Sequence, residues 1–264
     1  MTTQPKLCIP VTDVGLEIFK DVRTQIGAIE YKNTRYKFED HEGLDILFES
    51  PYGIISDHLV EWIRTENTFN FLDEKQAISF SCDFGPSCRT YKNVMVNGIL
   101  RSYPVGTILS EREILSLAVE RCAWLRSKFA GILKFEILNF YPTGVYEHVC
   151  KPDFISLFLE NVNGELLLDL GHARVSSENM GVSFDQYLDE LPLERVSEIH
   201  FSKAAMVNGV WEDAHELPVE EDYKLLESLI EKLDIRHIVV EYYKDSQKLV
   251  DIFNTLYTMF RISD

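Results

Sequence analysis

The chain has 264 residues, 45% of them hydrophobic, with 43 acidic against 26 basic side chains and a formal net charge of −17. An average surface this acidic repels a phosphate backbone, which argues against a nucleic-acid partner. No run reaches the roughly 18 apolar residues of a membrane helix, which argues against a membrane span.

The length suits one α/β barrel of roughly 250 residues, so residues 1–264 are read as a single domain. The first six residues lack the charged and apolar regions of a signal peptide. Five cysteines (Cys8, Cys82, Cys88, Cys122, Cys150) include no CxxC pair. Free thiols in a reducing cytoplasm are therefore expected, with Cys82 a small buried hydrophobe.

In chain order, short apolar runs near residues 6–11, 26–31, 52–57, 77–83, 131–137, 164–170, 196–201 and 236–241 read as strands. Amphipathic stretches separate several of them. Residues 110–130 open on the capping-box pattern Ser110-Glu111-Arg112-Glu113, and 220–233 carry repeating leucines. Alternating strands and helices predict a parallel sheet, and eight such runs predict a (β/α)8 TIM barrel. Residues 88–106 break the alternation: Tyr91, Val94, Val96, Ile99 and Tyr103 flank Asn97-Gly98, a hairpin turn. This β-hairpin insertion follows the fourth strand and sits on the rim, where it shapes a pocket, braces a lid or meets a partner.

Acidic and imidazole residues recur where the strands end. His58, Asp83, Glu136, Asp169, His172, His200 and Glu241 stand there, and Asp213 and His215 lie on the loop after the seventh strand. Strand C-termini of a barrel converge on one rim whatever their separation in sequence, so these nine groups surround one axis. Their carboxylates would repel one another without bound cations, and imidazole and carboxylate ligands without thiolate suit iron, manganese or zinc. Glu30 ends the second strand and is a weaker candidate, while His41, His148 and His237 fall where packing or solvated roles are expected. Asp83 also suits a cap on the Gly85-Pro86 turn. Asn139, Tyr141 and Arg174 follow ligand-bearing strands, within reach of a substrate.

The stretch Leu166-Leu167-Leu168-Asp169-Leu170-Gly171-His172-Ala173-Arg174, then Val196-Ser197-Glu198-Ile199-His200, Asp213-Ala214-His215 and Val239-Val240-Glu241, resembles the multinuclear non-heme iron-dependent oxidative enzymes. The match covers mainly residues 131–245. It implies two or three iron ions of mixed Fe(II)/Fe(III) state, O2 as co-substrate, and oxidation of a cysteine in a ribosomally made precursor peptide. It also implies a peptide-presenting partner protein, as a heterodimer. The Asp-x-Gly-His form and the compact length look most like the methanobactin-biosynthesis subgroup, which would make an oxazolone–thioamide pair. In the N-terminal half the chain departs from the family, offering His58 and Asp83 where many members carry histidines. It also has His172 where many carry asparagine. The sequence names no catalytic base.

The same ordered ligands resemble endonuclease IV-type phosphodiesterases, which the charge of −17 disfavours. Xylose-isomerase-like sugar isomerases and epimerases are a looser likeness with fewer ligands. A non-catalytic metal-binding subunit is the remaining alternative, marked by a saturated site.

Overall fold

The computed structural model describes residues 4–96 and 98–262; residues 1–3, 263–264 and Asn97, the first residue of the expected hairpin turn, lie outside the described residues. Its strands are β1 (Lys6–Val11), β2 (Ala28–Tyr31), β3 (Asp45–Glu49), β4 (Ser79–Asp83), β5 (Thr90–Val96) and β6 (Ile99–Val105). They continue with β7 (Ile132–Glu136), β8 (Glu165–Asp169), β9 (Val196–Phe201), β10 (Ala205–Val207), β11 (Val210–Glu212) and β12 (His237–Val240). Eight of them close a parallel barrel in the order β1-β12-β9-β8-β7-β4-β3-β2. This is the expected TIM architecture.

Helices clothe the barrel: α1 (Asp13–Val22), α2 (Asp57–Thr65), α3 (Thr68–Glu74), α4 (Glu111–Arg126), α5 (Pro152–Val162), α6 (Leu170–Met180), α7 (Phe184–Glu190), α8 (Glu220–Lys232) and α9 (Ser246–Ile262). The box that opens α4 forms as predicted, with Glu113 N donating to Ser110 Oγ and Ser110 N to Glu113 Oε2. Strands covered on both faces explain the near-continuous apolar runs. Phe158 packs edge-on against Phe84 and Phe135 between sheet and helix, with ring centroids 4.9 and 5.1 Å apart. No helix among the described residues is long and apolar enough to cross a membrane.

Side chains alternate across a strand, so every second residue faces the lumen. Cys8, Ala28, Leu47 and Val239 form a small apolar cluster of their own, apart from the large core under the helices. Two residues further along β2 and β3, and past the end of β12, the same parity delivers Glu30, Glu49 and Glu241. On β7 and β9 it gives Lys134 then Glu136, and Glu198 then His200. The fold thus lays an apolar floor beneath a ring of ionisable groups.

The third strand is Asp45–Glu49, not residues 52–57. Residues 52–56 form a loop, with Asp57 opening α2, and the loop resembles a strand because Ile54 and Ile55 are fully buried and donate their amides to Asp83 O and Gly85 O. Gly53 lets the loop lie this close, since a Cβ there would stand 2.2 Å from Gly85 O. The insertion after β4 is a hairpin, paired from Thr90–Val105 to Val96–Ile99. A second, unforeseen hairpin, β10–β11, turns through Asn208 and Gly209 at φ 53° and 83°. Arg101 of β6 pairs with Glu212 of β11 and so ties the two together.

Within the lumen Lys134 donates to Glu198, each 1% exposed. Replacing Lys134 by Ala leaves a buried carboxylate without its ammonium and should cost about 3–5 kcal/mol of stability in a urea titration. The double variant K134M/E198L should lose less than K134A; an equal or larger loss would show that the pair is not what the floor depends on.

Candidate metal centre

Three overlapping sets of ligand-type atoms meet above the floor. His200 Nδ1 stands 3.3 Å from Glu136 Oε1, 3.5 Å from Glu241 Oε1 and 3.9 Å from Asp169 Oδ2. His172 Nε2 and His215 Nε2 lie 3.4 and 3.1 Å from one oxygen, Asp213 Oδ2. The third set is Glu30, Glu49, Glu241 and His200, whose ligand atoms all fall within 4.8 Å of one another, as do those of Glu136, Asp169 and His172. His172 Nδ1, 3.4 Å from Glu136 Oε1, links the first set to the second.

Local structure aims these groups. Asp169 caps α6, its Oδ1 accepting from His172 N and from Ser202 Oγ at 2.7 Å each. Gly171 lets the helix start press against the rim, because a Cβ would sit 2.3 Å from Ser202 Oγ. His172 Nδ1 lies 2.8 Å from Ile137 O, and donation there leaves Nε2 free as a ligand. His215 holds a left-handed φ of 42°, rare outside glycine, as tight loops at functional sites often do. Tyr243 Oη donates to Glu241 Oε1 at 2.8 Å.

Both ring nitrogens of His200, Glu30 Oε1, Asp169 Oδ2 and Asp213 Oδ1 are buried without an aligned hydrogen bond. Atoms left this way cost about 1–3 kcal/mol each, and a divalent cation would satisfy several at once. The donors are imidazole and carboxylate without thiolate, a set that fits iron, manganese or zinc. Cys82 has the opposite parity to Asp83 and packs in the outer core, where burial pushes its thiol well up.

The structure gathers Glu136, Asp169, His172, His200, Asp213, His215 and Glu241, and it adds Glu30. Glu49 is the member that the sequence reading missed, because the third strand was set too late. Asp83 lies opposite Glu136 in the β4–β7 register but in neither compact group. His58 starts α2 rather than ending a strand; its ring packs between Tyr52 and Tyr91 at 5.7 and 5.4 Å, outside both groups. Asn139 Oδ1 is buried without a partner, and Tyr141 donates to Glu212 at 3.0 Å. Arg174 lies over the Phe184 ring, 3.6 Å from its centroid, beside a separate cleft lined by Lys203 and Asp222. His237 is buried against Asp45 at 2.9 Å.

In the metal-free protein burial, then Glu136, pushes Asp83 up to about 7. Burial, with Glu241, Asp213 and Glu136 outweighing His172, pushes Asp169 up to about 6. His172, His200 and His215 are raised although burial opposes their charge, chiefly by the surrounding carboxylates. Asp213 and Glu241 are held low against burial, Asp213 by His172 and His215, and Glu241 by Lys32, His200 and His215.

Acids raised on folding hold protons that the unfolded chain has already released, so their contribution to stability falls between about pH 4 and 7. Raised histidines act in the same direction, losing their contribution as pH climbs through the folded value. The depressed acids withdraw theirs only below about pH 4. EDTA-treated protein should therefore melt at lower temperature at pH 8 than at pH 5.5. Divalent metal, which competes with these protons, should raise the melting temperature more at pH 8. Equal metal-induced shifts at both pH values, or none, would remove the metal reading.

A family model described as "RiPP precursor modification enzyme MbnB/TglH/ChrH" matches residues 103–263. A UPF0276 protein of Vibrio parahaemolyticus is 33% identical over 119 residues, 42% of this chain and 41% of the relative. A UPF0276 protein of Caulobacter sp. is 31% identical over 95 residues, 34% of each chain. The chain thus spans less than half the length of these curated relatives. Among solved structures, a xylose isomerase domain-containing protein of Salmonella typhimurium superposes with TM-score 0.65 over 98% of both chains at 12% identity, a likeness of fold alone. The family match covers more than half of the residues and spans every member of the first two ligand sets, and the chain belongs to the MbnB/TglH/ChrH family of RiPP precursor modification enzymes.

Proposed function

We propose that this protein is a multinuclear iron, O2-dependent oxidase that modifies cysteine in a ribosomally synthesised precursor peptide in the cytoplasm. The observation that carries the reading is the convergence of Glu136, Asp169 and Glu241 on His200 Nδ1, beside His172, Asp213 and His215, in a chain of this family. Iron held there would supply the redox chemistry for which the side chains have no substitute, with O2 as the oxidant.

The chain's own residues hold and orient. Ser202 and the start of α6 fix Asp169, Ile137 O fixes the His172 ring, and Tyr243 steadies Glu241. The apolar floor of Cys8, Ala28, Leu47 and Val239 keeps water out from below. His172, Asp213 and His215 keep partial exposure, 13–25%, so a substrate can reach them. The two hairpins joined by Arg101 and Glu212 rise there, and a flexible peptide ordered against them loses entropy that a docking partner protein would help offset. Conversion of cysteine to an oxazolone–thioamide pair, the methanobactin-type outcome, removes four hydrogens that O2 takes up as water.

Iron-loaded protein should be mixed with the precursor peptide and partner encoded beside it, then given O2 while peptide mass and oxygen uptake are followed. Loss of hydrogens from a cysteine-containing fragment, abolished in H200A and E241A, is expected. An unchanged peptide with iron and partner present would defeat the reading. Abasic duplex DNA should stay intact at physiological salt, given the net charge of −17; efficient nicking would put a phosphodiesterase in its place.

A further inference from the structure

Lys32 is the first residue beyond β2 and shares the lumen parity of Ala28 and Glu30, so its side chain rises among the strand ends. Its Nζ stands 2.8 Å from Glu30 Oε2 and 2.6 Å from Glu241 Oε1, and it also donates to Glu49. These are the three carboxylates of the third ligand set. The ammonium is thus seated where a cation shared by those oxygens would have to lie. Metal–carboxylate bonds of about 2.0–2.2 Å leave no room for both.

The other two sets hold no ammonium of their own: apart from Lys32 on the shared Glu241, no lysine or arginine pairs with Glu136, Asp169 or Asp213 among the described residues.

We infer that Lys32 is a built-in cation that takes the place of a metal ion at the Glu30–Glu49–Glu241 subsite. The protein accordingly loads metal at the His200 Nδ1–Glu136–Asp169–Glu241 position and at the His172–Asp213–His215 position, and not at a third. A fixed single charge that cannot exchange ligands holds the three carboxylates together. It leaves Glu241 shared between the ammonium and the neighbouring metal position. The inference rests on the metal reading proposed above, and counting metal separates the two.

Wild-type protein, K32M and E49Q are loaded with Fe(II) anaerobically, passed through gel filtration, and their iron per chain measured by elemental analysis. K32M empties the subsite and should hold one more ion per chain than wild type. E49Q keeps Lys32 paired with Glu30 and Glu241 and should hold the wild-type number. It also gives a reading if K32M fails to fold. The double variant K32M/E49Q, with the vacated subsite one carboxylate short, should return toward the wild-type number. Iron in wild type but no gain in K32M, or the loss of an ion in E49Q, overturns the role of Lys32 while leaving the metal centre standing. No iron in any variant overturns both.

Discussion

Strand alternation sends carboxylates into the mouth of this barrel in such number that their mutual repulsion has to be answered by positive charge from somewhere. Water cannot do it, because Glu30, Asp169 and His200 are fully buried. The chain answers partly from its own sequence. Lys134 neutralises Glu198 beneath the site, Lys32 neutralises Glu30, Glu49 and Glu241 at one side of it, and imidazoles lie among the rest. What is least compensated, around Glu136 and Asp169, is the part that a bound cation would complete. The site and the stability of the barrel are therefore one electrostatic problem, solved in layers from the floor upward.

Those layers also divide the labour between rigidity and chemistry. The floor of Cys8, Ala28, Leu47 and Val239 is apolar and has no stake in binding. Above it, the groups left without hydrogen bonds are the ones a ligand would satisfy, an arrangement that costs stability when empty. Around them stands a shell that does nothing but point: Ser202, Ile137 O, Tyr243 and the capped start of α6. Gly171 belongs to that shell by what it lacks, since a Cβ there would stand 2.3 Å from the Ser202 Oγ that holds Asp169.

The barrel is shared with solved proteins of other sequence, as the xylose isomerase domain-containing protein shows. Fold likeness at that level says where a site lies and not what it does. What is particular to this chain lies at the strand ends and in two hairpins, one between β4 and β7 and one between β9 and β12, which a barrel tolerates because neither belongs to the closed sheet. Insertions on that rim change what reaches the site without disturbing the register that builds it.

By itself the sequence determined the barrel and most of the second half of the site. From β7 onward each apolar run stops at or beside an ionisable residue, so Glu136, Asp169, His200 and Glu241 could be picked out by position, and the Asp-x-Gly-His form carried the family resemblance. Only the tertiary structure decided the first half. Residues 32–44 carry no regular element, and the buried loop of Ile54 and Ile55 imitates a strand by bonding to β4. The third strand was therefore misplaced, Glu49 went unseen, and His58 was read at a strand end although it lies in the first turn of α2. Lys32 was invisible for a different reason: a lysine past a strand end looks like solvated punctuation. Its partners are 2, 17 and 209 residues away along the chain, and only closure of β1 onto β12 brings Glu241 to its ammonium. Which charges meet is a property of the register of the closed sheet, and no local pattern carries it.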